Sequence, residues 1–222
     1  FTNVFPLFYE GASRILRELK GTPLSIFVAG HEAVIFFFIL SGFVLSLPFY
    51  SCKNTGYFEF LTKRIFRVYI PYICAVFTGI FLSIFLYNKP IEEFSSWFNS
   101  VWSMPLTIGL IVDHILLIGS FKNGSINPVL WSLVHEMRIS IIFPFLVMLI
   151  KKYDYKLVLF IGWVLSCVGG ILYKYVEYQT DYLITFHYMF FFIIGALIAK
   201  HRLFLIRGYQ NIYSIGKLSL VI

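Results

Sequence analysis

The stretch "NPVLWSLVHEMRISIIFPFL", residues 127–146, is apolar enough to lie in a bilayer, yet it carries His135, Glu136 and Arg138 near its start. On a helix, Ser132, Glu136 and Ser140 follow one another at i, i+4 and i+8 and share a face, while Trp131, His135 and Arg138 fall on a different flank. Glu136 and Arg138 are two positions apart and point away from each other, so Glu136 needs a partner from another helix, water, or a proton. A charged group in mid-span costs about 2.5–3.5 kcal/mol on insertion scales and normally faces a bundle interior or an aqueous cavity. That makes Glu136 the first candidate for chemistry, against the alternative of a solvated carboxylate that anchors the outer end of a helix. His135, beside a cation, is expected to be a packed or interfacial neutral histidine rather than a base. The run "HEMRI" lacks the second histidine of H-E-x-x-H, so a zinc-peptidase reading fails.

A second constellation is "FLTKRIFRVYIPY", residues 60–72. Arg64 and Arg67 are three apart and are expected to share a helical face at the mouth of a span, with Lys63 reaching Arg67 at i+4. Paired guanidinium groups there can hold phosphates bidentately; ordinary basic anchoring of a helix end is the competing explanation. A third is "GHEAVIFFFILSGFVL", residues 30–45. Its Ser41 and Gly42 predict close helix packing, because small residues let backbones approach, and His31 and Glu32 belong to the outer end of that span.

The elements that must position these residues are membrane helices. Of the 222 residues, 59% are hydrophobic, 20% aromatic and only 13% charged, too apolar a balance for a soluble globular domain. The pattern predicts an all-α, polytopic transmembrane helix bundle of five to seven helices. Five spans are expected at about 31–50, 68–87, 129–150, 157–174 and 182–200, with a sixth beginning near 212 and both chain ends cutting into longer sequence. Residues 9–22, "YEGASRILRELKGT", predict a short amphipathic surface helix.

Charge bias orients the spans. Residues 51–67 carry Lys53, Lys63, Arg64 and Arg67 against Glu59, a net +3, and residues 200–207 carry Lys200, Arg202 and Arg207, also +3. Residues 151–156 carry a net +2, whereas 88–100 and 174–181 each carry −1. The basic connections are then cytoplasmic. Segment 101–119, with Pro105, Asp113 and His114, must be re-entrant or interfacial for the count to close. The overall +7 charge is thereby assigned to span flanks and not to nucleic-acid binding. Cys52, Cys74 and Cys167 have neither disulfide nor zinc spacing, and no metal is expected.

In this order and spacing the three stretches resemble acyltransferase family three, the membrane-bound O-acyltransferases of bacterial surface polysaccharides and related acceptors. "AVIFFFILSGFVL" is similar to that family's G-V-x-F-F-x-L-S-G helix, "RIFRVYIPY" to its R-x-x-R motif followed by proline, and "NPVLWSLVHEMRISIIFPFL" to its N-x-x-L-W-S-L-x-x-E motif; "FFFIIGALIA" resembles a later F-x-x-G-A-L span. The resemblance implies that residues 1–222 are a single, partial acyltransferase domain from a bundle of about ten helices. It implies a multi-pass protein of the bacterial cytoplasmic membrane that moves an acyl group, commonly acetyl, from acyl-CoA to a hydroxyl of an extracytoplasmic carbohydrate or lipid-linked sugar. No cofactor is implied beyond acyl-CoA as co-substrate. By resemblance, Glu136 is a catalytic position, Arg64 and Arg67 contact the acyl donor, and Trp131 and Ser132 support Glu136.

The sequence departs from the family in one respect. The family's first helix carries an arginine and a histidine eleven residues apart, the histidine being the favoured general base, and no such pair precedes "AVIFFFILSGFVL" here. The expectation is that the base lies in a helix upstream of Phe1 and that this segment alone is nearly inactive. A carrier for a lipid-linked sugar would also bury ionisable residues along a path, and an inactive relative is the third reading. Thioester consumption separates an enzyme from both.

Overall fold

The computed structural model describes residues 30–51, 56–86, 106–116, 126–127, 130–175 and 182–219. These form α1 (Gly30–Tyr50), α2 (Tyr57–Arg64), a π-helical turn (Ile65–Tyr69), α3 (Ile70–Leu86), α4 (Ile108–Leu116), α5 (Trp131–Lys152), α6 (Tyr155–Tyr175), α7 (Tyr182–Lys200) and α8 (Arg202–Ser219). Among the described residues there is no strand, and five helices are long and apolar enough to cross a membrane: Gly30–Tyr50, Tyr57–Phe85, Trp131–Lys152, Tyr155–Tyr175 and Tyr182–Lys200. Each matches one expected span.

Two boundaries differ from expectation. The second span starts at Tyr57, eleven residues before the expected 68, so Lys63, Arg64 and Arg67, expected on a helical face at its mouth, lie within the span-length helix itself. At 29 residues that helix is about 44 Å long, well beyond a hydrocarbon core of about 30 Å. The last helix begins at Arg202, ten residues before the sixth span was expected. Residues 9–22, where a surface helix is expected, lie outside the described residues, as do 87–105 and 117–125.

The π-turn has a local cause. Pro71 has no amide to bond the carbonyl of Arg67, and its ring crowds that carbonyl. The helix widens over Ile65–Tyr69, the usual response when the i to i−4 ladder is interrupted.

The chain forms two compact units. One comprises the described residues up to Ile35 and those between Phe66 and Val134; the other comprises those from Phe36 to Ile65 and from His135 onward. In the first unit α4 covers nine residues, about 14 Å and short of a bilayer crossing. The backbone carbonyls at its C-terminal end accept hydrogen bonds from α3 and the turn before it: Tyr72 Oη donates to the His114 carbonyl and Tyr69 Oη to that of Ile115, both at 2.8 Å. A helix ending within an apolar environment requires such partners.

In the second unit the helices meet through small residues. A Cβ on Gly42 of α1 would strike the backbone of Phe192 on α7, and one on Gly195 of α7 would strike the backbone of Ile39 and Phe43 on α1. These two helices therefore touch backbone to backbone, as Ser41 and Gly42 predicted. Gly162, Ser166 and Gly169 of α6 are buried at i, i+4 and i+7, and a Cβ on Gly169 would lie 2.6 Å from the Leu183 carbonyl of α7. Phe38 lies 5.0 Å from Tyr188 and 5.5 Å from Phe192, ring centre to ring centre. At the basic end, Lys200 Nζ donates to the Ile150 carbonyl at 2.6 Å, placing a cation where the α5 dipole favours one.

Candidate active site

Glu136 lies five residues into α5, about 8 Å along the helix, and is 4% exposed. The partner that its position demanded comes from α2. Arg64, 7% exposed, donates from Nη2 to Glu136 Oε1 and from Nε to Ser140 Oγ at 3.1 Å. Ser140 in turn donates to the Glu136 backbone carbonyl at 2.7 Å, one helical turn back. Ser41 Oγ on α1 donates to Glu136 Oε1 at 3.3 Å.

Three helices thus converge on one carboxylate. Arg64 and Ser41 both approach Oε1, so Oε2 is the oxygen that neither engages. The guanidinium supplies the counter-charge that a buried carboxylate needs, and the two hydroxyls complete the hydrogen bonding that makes a buried pair tolerable. The α1–α7 glycine contact also bears on this site. Gly42 is the residue next to Ser41, so the close crossing fixes the depth at which the Ser41 hydroxyl is presented.

The remaining expected site residues are placed differently. Arg67 is exposed, in the π-turn. The shared face expected for Arg64 and Arg67 is not formed, since one is buried and the other exposed; the π-turn breaks the 3.6-residue period between them. Trp131 and Ser132 lie in the first turn of α5, half-buried, with Ser132 one turn before Glu136. His31 and Glu32 are exposed in the first turn of α1.

His135 and Arg138 form a separate cluster with α7. His135 Nδ1 lies 2.9 Å from Thr185 Oγ1, Arg138 Nη1 donates to the same hydroxyl at 3.3 Å, and the guanidinium sits 4.3 Å above the Tyr182 ring. The His135 ring centre is 4.9 Å from that of Tyr188. His135 is packed, as expected, and buried. Among the described residues no three His, Cys, Asp or Glu side chains gather as metal ligands.

Sequence reasoning missed Ser41 as a donor and Arg64 as the partner of Glu136. The signal available for the first was a serine beside a glycine in an otherwise apolar span. For the second it was a buried acid with no counter-ion on its own helix, together with a cation near another span. Chemically, the arrangement holds a carboxylate by one oxygen in a water-poor setting, where it can orient or polarise a group engaged in proton transfer.

A family model described as an acyltransferase domain matches residues 5–222. No curated protein and no solved structure matches the chain.

Proposed function

Because the chain belongs to acyltransferase family 3, we propose that it is a membrane O-acyltransferase that moves an acyl group, acetyl foremost, from acyl-CoA to a hydroxyl of an extracytoplasmic carbohydrate such as an exopolysaccharide, capsule or O-antigen unit. The observation that carries this reading is the buried Arg64–Glu136 pair inside helices long and apolar enough to cross a membrane. Residues whose charges serve only anchoring sit at helix ends in water; this pair is held inside the protein by three helices, a costly arrangement that marks function in membrane proteins.

In the proposed reaction the acceptor oxygen attacks the thioester carbonyl while its proton passes to a base. The carbon–sulfur bond breaks, and the thiolate leaves and takes up a proton as free CoA. The family resemblance assigns the base role to a histidine, and Glu136 orients it. The basic start of the second span serves the donor phosphates. The protein's place is the bacterial cytoplasmic membrane, with the basic helix ends on the cytoplasmic side.

The test is incubation of membranes containing the complete protein with acetyl-CoA labelled in the acetyl group. Label transferred to a saccharide acceptor, with release of free thiol, is the expected result, and Glu136→Gln should reduce it by at least about 100-fold. Acceptor movement across the membrane without thioester consumption would replace the enzyme with a carrier.

A further inference from the structure

The two arginines of "RIFR" differ in a way that their spacing does not announce. Arg64 is 7% exposed and already spends two of its donors within the protein, Nη2 on Glu136 and Nε on Ser140. A phosphate brought to this guanidinium would place a second anion on a cation that already balances one, in surroundings where like charges are poorly screened. Burial also denies a large polyanionic ligand an approach. Arg67 has the opposite character: it is exposed and, among the described residues, forms no ion pair. Lys63, the other cation of the same stretch, is engaged by Glu59 at 2.5 Å.

Resting on the acyl-transfer reading above, we infer that Arg64 and Arg67 have separate roles. Arg64 is a positioning residue for Glu136. With Ser41 it fastens Oε1, so that Oε2 is presented to the reacting groups in one orientation. Arg67 is the donor contact, holding a phosphate of acyl-CoA. The π-turn is what permits the division, since an unbroken α-helix would tend to put residues three apart on one face. Ser140 acts together with Arg64, because it joins the guanidinium to the backbone of Glu136's own turn, so the pair is fixed in depth as well as in charge.

The experiment has two readouts. The first is kinetic and binding data for Arg67→Gln and Arg64→Lys in the full chain in native membranes, with acetyl-CoA as the probe. Arg67→Gln should raise both KM and the acetyl-CoA dissociation constant by about 10-fold or more, the loss expected for a charged hydrogen bond. Its kcat should stay within about twofold. Arg64→Lys keeps the charge but cannot reach Glu136 and Ser140 together, so kcat should fall by about 10-fold with KM nearly unchanged. A raised KM and preserved kcat in Arg64→Lys would overturn the division.

The second readout is the melting temperature of detergent-solubilised Arg64→Gln, Glu136→Gln and the double variant. Each single change should lower it, and the double change should restore it towards wild type, because only the singles leave a buried charge uncompensated. Absence of that rescue would sink the Arg64 assignment by itself. Failure of the wild-type protein to bind or consume acetyl-CoA or longer acyl-CoAs would instead sink the acyl-transfer reading, and with it the assignment of Arg67.

Discussion

On one flank of α5 a buried carboxylate meets a guanidinium and two hydroxyls; on the other, Arg138 and His135 meet the hydroxyl of Thr185 and the rings of Tyr182 and Tyr188. Both flanks solve the problem of polar groups in a span, but the solutions differ in kind. The Glu136 flank gathers three separate helices around one oxygen and commits a full ion pair to it. The His135 flank joins α5 to α7 through a shared hydroxyl and ring faces, which is how two helices are clamped. On the proposed reading, chemistry belongs to the first flank and cohesion to the second, although His135 and Glu136 are neighbours in sequence.

The comparison can be broken by substitution. The largest effect is expected from Arg64→Gln, which leaves Glu136 buried without its counter-charge; destabilisation of about 3–5 kcal/mol should appear in thermal unfolding in detergent. Next is Gly195→Ala. The new methyl group meets the α1 backbone, and overpacking of this kind costs about 1–3 kcal/mol; activity should fall as well, because Ser41 moves with α1.

Ser41→Ala and Thr185→Val sharpen the contrast. Each removes one hydroxyl from one flank, and interhelical hydrogen bonds in membranes are worth about 0.6–1.7 kcal/mol, so the two variants should melt alike. Only Ser41→Ala should lower kcat. Equal losses of kcat would mean that the two flanks act as one site.

The smallest effect concerns His114 on α4. Burial drives this imidazole below its ordinary range, against the opposing pull of the Leu110 carbonyl and of Asp113. The folded protein then binds fewer protons here than the unfolded chain as pH falls through the imidazole range, so this stabilising contribution is present above the ordinary imidazole pKa and is lost below it. Melting measured as a function of pH should show a decline on the acid side, and His114→Gln should make it shallower.

Much of this was legible in the sequence. The five spans follow from runs of apolar residues, and the need of Glu136 for a partner follows from its two-residue offset from Arg138. The identity of that partner was not legible. Arg64 lies 72 positions away, and spacing arguments reach only one helix at a time. That "FLTKR" belongs to the second span itself was hidden because its charges lower the apolarity that marks a span, although the helical face expected for Arg64 and Arg67 already implied a helix there, on which Glu59 and Lys63 pair at i, i+4. The splitting of Arg64 from Arg67 was likewise hidden, because the three-residue rule assumes an unbroken ladder. Pro71 was the sign that the ladder fails there.

The central claim is that Glu136, held by Arg64, serves acyl transfer and not merely the fold. The most direct measurement is the rate of acetyl transfer from labelled acetyl-CoA by membranes containing the complete wild-type protein or its Arg64→Gln, Glu136→Gln double variant. The account predicts a double variant that melts close to wild type yet transfers at least about 100-fold more slowly. A double variant that is as stable as wild type and equally active would contradict it.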